Sequence, residues 1–191
     1  MDVNERYEEA RQLIAHTPAK AMDILPTLYE ECVAVGAYDK VMKCYVNLAY
    51  SYYNVGNIKR AYEMTNDYER LCADFGLAIA CAYYYPLLAT QYAALGDKEQ
   101  CFFYRKAAMT HAQTQYMEEK TEELLLLYFA NAKLYAMQLT NDNQFDEALV
   151  VVKTIEPFLP FVPSMNVNRV EFYSQYAYIA LQKNSSRLQH S

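Results

Sequence analysis

Leu48-Ala49-Tyr50-Ser51-Tyr52-Tyr53-Asn54-Val55-Gly56-Asn57-Ile58-Lys59-Arg60-Ala61 reads as the end of one helix, a break, and the start of another. Leu48, Ala49 and Tyr52 fall at i, i+1 and i+4, on one helical face. Gly56 can close a helix in the left-handed conformation, and Asn57 can cap the next one. The pattern returns forty residues later as Leu88-Ala89, Tyr92, Leu95-Gly96-Asp97 and Cys101. The chain has only four glycines, Gly36, Gly56, Gly76 and Gly96, spaced by twenty. Such spacing in the scarcest helix breaker predicts a repeat of two helices in about forty residues.

These residues resemble the tetratricopeptide repeat. Tyr45, Leu48, Ala49, Tyr52, Gly56, Asn57 and Ala61 fill that family's slots in one copy, and Tyr85, Leu88, Ala89, Tyr92, Gly96, Asp97 and Cys101 fill them in the next. The large apolar residue usual four positions after the Ala is replaced by Thr65 and Arg105. The units exceed the family's usual length, which implies longer helices. The resemblance implies an all-α superhelix of antiparallel hairpins, about nine helices in one array over residues 1–183. Its repeats are expected at about 3–35, 38–75, 77–117 and 118–160, with a last helix at 166–183 and a polar tail at 184–191.

Thr17-Pro18 predicts a capped helix start, and Pro26 and Pro86 predict a kink or break inside their helices. The fourth unit breaks the period, since Ala148 lies 47 residues after Cys101. Seven extra residues are almost two turns, so a longer helix over about 118–140 is expected, without a loop between Glu118 and Tyr128. Phe145, Ala148, Leu149, Val152 and Ile155 make its partner, and a proline-punctuated link from Pro157 to Pro163 leads onward. The last helix is either a solvating cap or a sign that the array continues past Ser191. Its apolar side, with Phe172, Tyr173, Tyr176, Ile179 and Leu181, favours continuation.

A net charge of −6 argues against nucleic acid and against an anionic membrane surface. The acidic opening (Asp2, Glu5, Glu8, Glu9) does not read as a signal peptide, and the longest apolar run, Leu124 to Ala130, is too short to span a bilayer. The five cysteines, at 32, 44, 72, 81 and 101, form no CxxC pair and are expected to be reduced thiols in a cytoplasmic protein. His16, His111 and His190 are too far apart in register to share a metal. Glu118, Glu119, Glu122 and Glu123 read as acids at a helix start. No phosphate loop, zinc-protease or nucleophile-elbow motif occurs, so no enzyme, cofactor or metal is expected.

Most of the 20 tyrosines are assigned to packing, Tyr45, Tyr52, Tyr85 and Tyr92 among them. In the family the first helix of each pair lines the concave face. Carried over by register, this implies a peptide-binding face of Lys43, Tyr50, Tyr53 and Asn54, then Tyr83 and Thr90, then Lys133, Met137 and Asn141, then Glu171 and Tyr178. Tyrosine there offers a large contact area with a polar tip. The carboxylate clamp of chaperone-tail binders is not matched, because its slots hold Val46/Tyr50 and Pro86/Thr90. The resemblance points to a scaffold for a protein or peptide partner, of the kind found as regulatory regions of bacterial signalling proteins. The alternative is a spacer that dimerises through its last helix.

Overall fold

The computed structural model describes residues 3–162 and 167–189. Pro163, Asn166 and His190, and the side chains of Ile14, His16 and Glu171, lie outside the described residues. Among those described there are nine α-helices, one 3-10 segment and no strand. They fall into two compact units, Met1–Leu95 and Gly96–Ser191.

The first unit holds α1 (Val3–His16), α2 (Pro18–Ala34), α3 (Tyr38–Asn54), α4 (Ile58–Asp74) and α5 (Cys81–Ala94). Ala21, Leu25, Leu28 and Cys32 recur every three or four residues on α2 and are fully buried against Val41, Met42 and Cys44 of α3 and Tyr7 and Ala10 of α1. Each fully buried leucine contributes about 1.5–3 kcal/mol relative to exposure. α3 packs in turn on α4, and along the row of first helices it touches α1 and α5.

The turns close as the glycine spacing predicts. Gly56 takes φ +80°, its N–H donates to Tyr53 O at 3.0 Å, and Asn57 N–H donates to Tyr52 O at 2.9 Å. This is the paired closure of a Schellman motif, in which carbonyls that the helix end leaves open are bonded. Asn57 then caps α4 through its side-chain oxygen, which accepts from Arg60 N at 3.3 Å. Thr17 does not cap α2 in this way; its hydroxyl donates back to Leu13 O. Both α2 and α5 run unbroken through Pro26 and Pro86, contrary to a break. One lost backbone bond does not open a helix held at several buried positions on either side of the proline.

Thr65 is buried, with its hydroxyl donating to Ala61 O at 2.8 Å. Beside it the Tyr84 hydroxyl of α5 donates to Thr65 O at 3.4 Å, and the Tyr84 ring stacks on Tyr68 of α4, 4.3 Å between centroids and 9° between planes. Within the run Tyr83-Tyr84-Tyr85 it is Tyr84 that is buried, while Tyr85 is half-buried and packs against the same core. The third pair starts late, because residues 77–80 are not helical.

The second unit holds α6 (Lys98–Glu119), α7 (Glu122–Asn141), α8 (Phe145–Ile155), the 3-10 segment Glu156–Phe161 and α9 (Val167–Gln189). A single long helix over 118–140 is not what forms. α6 runs on to Glu119, Lys120 turns left-handed at φ 52°, and Thr121 caps α7, accepting from Leu124 N at 3.3 Å. The extra residues are shared between α6, 22 residues long, and α7, 20 residues long. The acidic run straddles this break, so only Glu122 and Glu123 sit in a first helical turn. At the next turn Asn143 stands at φ 59° in the glycine's place, with Gln144 N–H on Leu139 O at 2.8 Å.

Ala108 and Ala112 let α6 lie close on α7, whose Tyr128, Phe129, Ala132 and Leu139 are buried. The proline-rich link is a built part of this core: the 3-10 segment sets Phe158 edge-on to Tyr116 at 5.5 Å and to Tyr128 at 6.2 Å. α9 extends to Gln189, so helix continues into the stretch read as a polar tail. The buried thiols Cys32, Cys44, Cys72 and Cys101 are free, as is the half-buried Cys81.

Candidate functional site

Lys43, Asn47, Tyr50 and Asn54 of α3 are spaced four, three and four, which aligns them on one face. Lys43 and Tyr50 are half-buried and Asn54 is exposed. Asn47 is held by the first helix, donating its amide to the Tyr7 hydroxyl at 3.1 Å. On α5, Tyr83 and Thr90 lie seven apart on one face, both half-buried, and the Thr90 hydroxyl donates to Pro86 O at 2.9 Å. The two faces meet: the Lys43 ammonium lies over the Tyr83 ring, 5.5 Å from its centroid. A cation over an aromatic face at an exposed site contributes about 0.5–1 kcal/mol and holds both side chains in register.

Tyr53 departs from the expectation that it stands beside Tyr50 as an open anchor. It is half-buried and its hydroxyl is fully covered. Burial pushes its pKa up, against the neighbouring Thr65 of α4. Three residues along a helix is a rotation of about 60° between the two tyrosines, and that rotation is enough to turn the second one inward.

In the second unit, Lys133, Met137 and Asn141 are spaced by four along α7, Lys133 half-buried and the others exposed. The Lys133 carbonyl accepts from Gln175 Nε2 of α9 at 3.3 Å, which ties the two helices alongside this row. Tyr178 is exposed on α9. Leaving out Glu171, whose side chain is outside the described residues, the other ten separate into six on α3 and α5 and four on α7 and α9.

One feature was not anticipated. Phe103, Lys106, Ala107, Thr110 and His111 line a shallow depression of about 440 Å³ on α6. They share the side opposite the buried Cys101, Ala108 and Ala112, so the phase of Phe103 against Ala108 was the available signal. On α9, Tyr173 and Leu181, expected on one apolar side with Phe172 and Ile179, are instead exposed with Val170 on the outward side, while Phe172 and Ile179 are buried.

No protein-family model matches the chain, and no curated protein matches it in sequence. Among solved structures it is similar to the nearly identical TPR-like repeats of a Podosopora anserina protein assigned as a kinesin light chain, with a TM-score of 0.57 over 97% of this chain and 88% of that one. This chain has a TPR-like repeat fold. A single-substitution variant of the same protein matches with a TM-score of 0.58 and the same coverage. Both are 13% identical, so the likeness is one of fold. In TPR-like terms α1, α3, α5, α7 and α9 are first helices, and all ten residues above lie on four of them. Among the described residues no helix is long and apolar enough to cross a membrane.

Proposed function

We propose that this chain is a scaffold that binds a protein or peptide segment along its first helices, as the regulatory region of a cytoplasmic signalling protein of bacterial type. The observation that carries this reading is the Lys43–Tyr83 contact, which joins half-buried faces of α3 and α5 into one surface with a cation, aromatic area and the polar tips of Asn54 and Thr90. An acidic chain that presents lysine sparingly on these faces favours a mostly apolar ligand with few negative charges. Affinity should concentrate in a few aromatic anchors.

The test is selection of binders from a displayed library of random peptides, followed by substitution. Tyr50→Ala and Tyr83→Ala should each weaken a selected peptide by about 1–2 kcal/mol or more, with helicity unchanged. Arg70→Ala is the control, since Arg70 is exposed on α4 and pairs with Asp67 and Asp74. Binding that survives both tyrosine changes but is lost with Arg70 would refute the α3–α5 surface. Tyr53→Ala is less informative than its spacing suggests, because its hydroxyl is buried inside the unit and not presented to a ligand.

A further inference from the structure

α9 is apolar on two opposite sides. Its inner side carries Phe172 and Ile179, buried on α7 and α8, with Phe172 6.4 Å from Phe129. At 100° per residue, Val170, Tyr173, Ala177 and Leu181 fall on the other side with Tyr178 at its edge. Ala177 is exposed, and the larger four are exposed by 61% (Val170), 54% (Tyr173), 51% (Tyr178) and 65% (Leu181). Elsewhere the exposed large apolar residues are scattered, as on most proteins; here they recur every three or four residues over three turns. Positions 170, 173, 174, 177, 178 and 181 carry no charge. Glu171 falls by sequence beyond Tyr178, at the border of this side. The cations Arg169 and Lys183 are turned to their own unit, Arg169 donating to Val162 O and Lys183 pairing with Asp146.

We infer that this side of α9 is the contact between two copies of the chain, related by a twofold axis near Ala177. Charge supports a second copy: a chain of net −6 repels itself over much of its surface, and this side is free of that cost along its length. Symmetry supports it too. Tyr173 and Leu181 lie four residues on either side of Ala177, so antiparallel pairing sets Tyr173 of each copy on Leu181 of the other, with the two small Ala177 side chains at the crossing. Area sets the strength. Each exposed stripe is on the order of 400 Å², the size of a functional patch. Two stripes with their polar rims reach about 1,000 Å², the lower edge for a specific interface, so the dimer is reversible. The contact is independent of the α3–α5 surface, and either can fail without the other.

Sedimentation equilibrium of the full 191-residue chain alone tests it. The expected result is a monomer–dimer equilibrium with a dissociation constant of roughly 1–100 µM. Tyr173→Glu and Leu181→Glu should each raise that constant at least about tenfold while far-ultraviolet dichroism stays unchanged. An Ala177→Cys chain, folded by the same criterion, should form a disulfide-linked dimer under mild oxidation; Ala73→Cys, exposed on α4, and the unaltered chain should not. A chain that remains monomeric to about 300 µM, three times the weakest constant expected, overturns the inference. So does a dimer indifferent to both glutamates, or Ala177→Cys linking no faster than Ala73→Cys.

Discussion

Gly56→Ala isolates the backbone contribution of the repeated turn. A Cβ placed on Gly56 meets no atom within 4 Å, so the substitution brings no clash. What remains is the strain of an L-residue at φ +80°, roughly 1–2 kcal/mol. Against it stands the smaller conformational entropy of the unfolded alanine chain, about 0.4–1 kcal/mol. The net loss should be about 1 kcal/mol, and for a chain of this length that lowers Tm by about 2–4 °C. Gly56→Asn should lose less, because asparagine tolerates this conformation, as Asn143 does at φ 59° in the corresponding turn. Thermal melts by circular dichroism, paired with urea titrations at constant m, read both. An alanine chain melting with the original, or an asparagine chain melting below the alanine one, would refute the left-handed closure as the origin of the effect.

Ala61 is fully buried, so Ala61→Leu should overpack the α3–α4 contact and cost roughly 1–3 kcal/mol in the same melts; an unchanged Tm would mean the site has room. Asn57→Ala removes the side-chain cap of α4 and should cost about 0.5–1 kcal/mol, with Asn57→Ser recovering most of it. Alkaline stability follows from buried acids: burial pushes both the Cys44 thiol and the Tyr45 phenol up to about 12. The unfolded chain would ionise such groups from about 8.5 and about 10, so their contribution is full below those values and is lost as pH rises toward 12. Tm measured against pH should therefore be level to about pH 8.5 and fall beyond it, with tyrosinate absorbance rising in step; a level Tm to pH 11 would contradict this.

The hairpin architecture was legible because all four glycines stand at the twenty-residue spacing, so they carried the turns without competition. What it could not carry were turns made by other residues. Lys120 closes α6 left-handed with no glycine or proline to mark it, and the eye runs the helix straight through. The 3-10 segment at Glu156–Phe161 hides behind prolines that read as a linker, although Phe158 and Leu159 are hydrophobic for a reason. Within Tyr83-Tyr84-Tyr85 the three side chains are chemically identical, and only the phase of α5 against α4 selects Tyr84 for the core. The candidate face followed from the family resemblance, carried over by register. Lys43 and Tyr83 meet as neighbouring first helices should, and Tyr53 turned inward because a rotation of about 60° is below what register resolves.

The short-range packing of the helices also governs how the chain acquires its structure. In each unit the α-helices pack mainly on those one or two places away, and a tie such as Gln175 to Lys133 spans only 42 positions. Closing loops of that length costs little entropy, and helical chains dominated by local contacts fold on the order of microseconds to milliseconds. Order can begin at any well-formed hairpin and spread to the next, so a nascent chain emerging from the ribosome can consolidate α1 to α3 before α7 has been synthesised. Core damage in one unit, such as an overfilled Ala61, should then appear as faster local opening around α3 and α4 in hydrogen exchange, with the amides of α7 still protected.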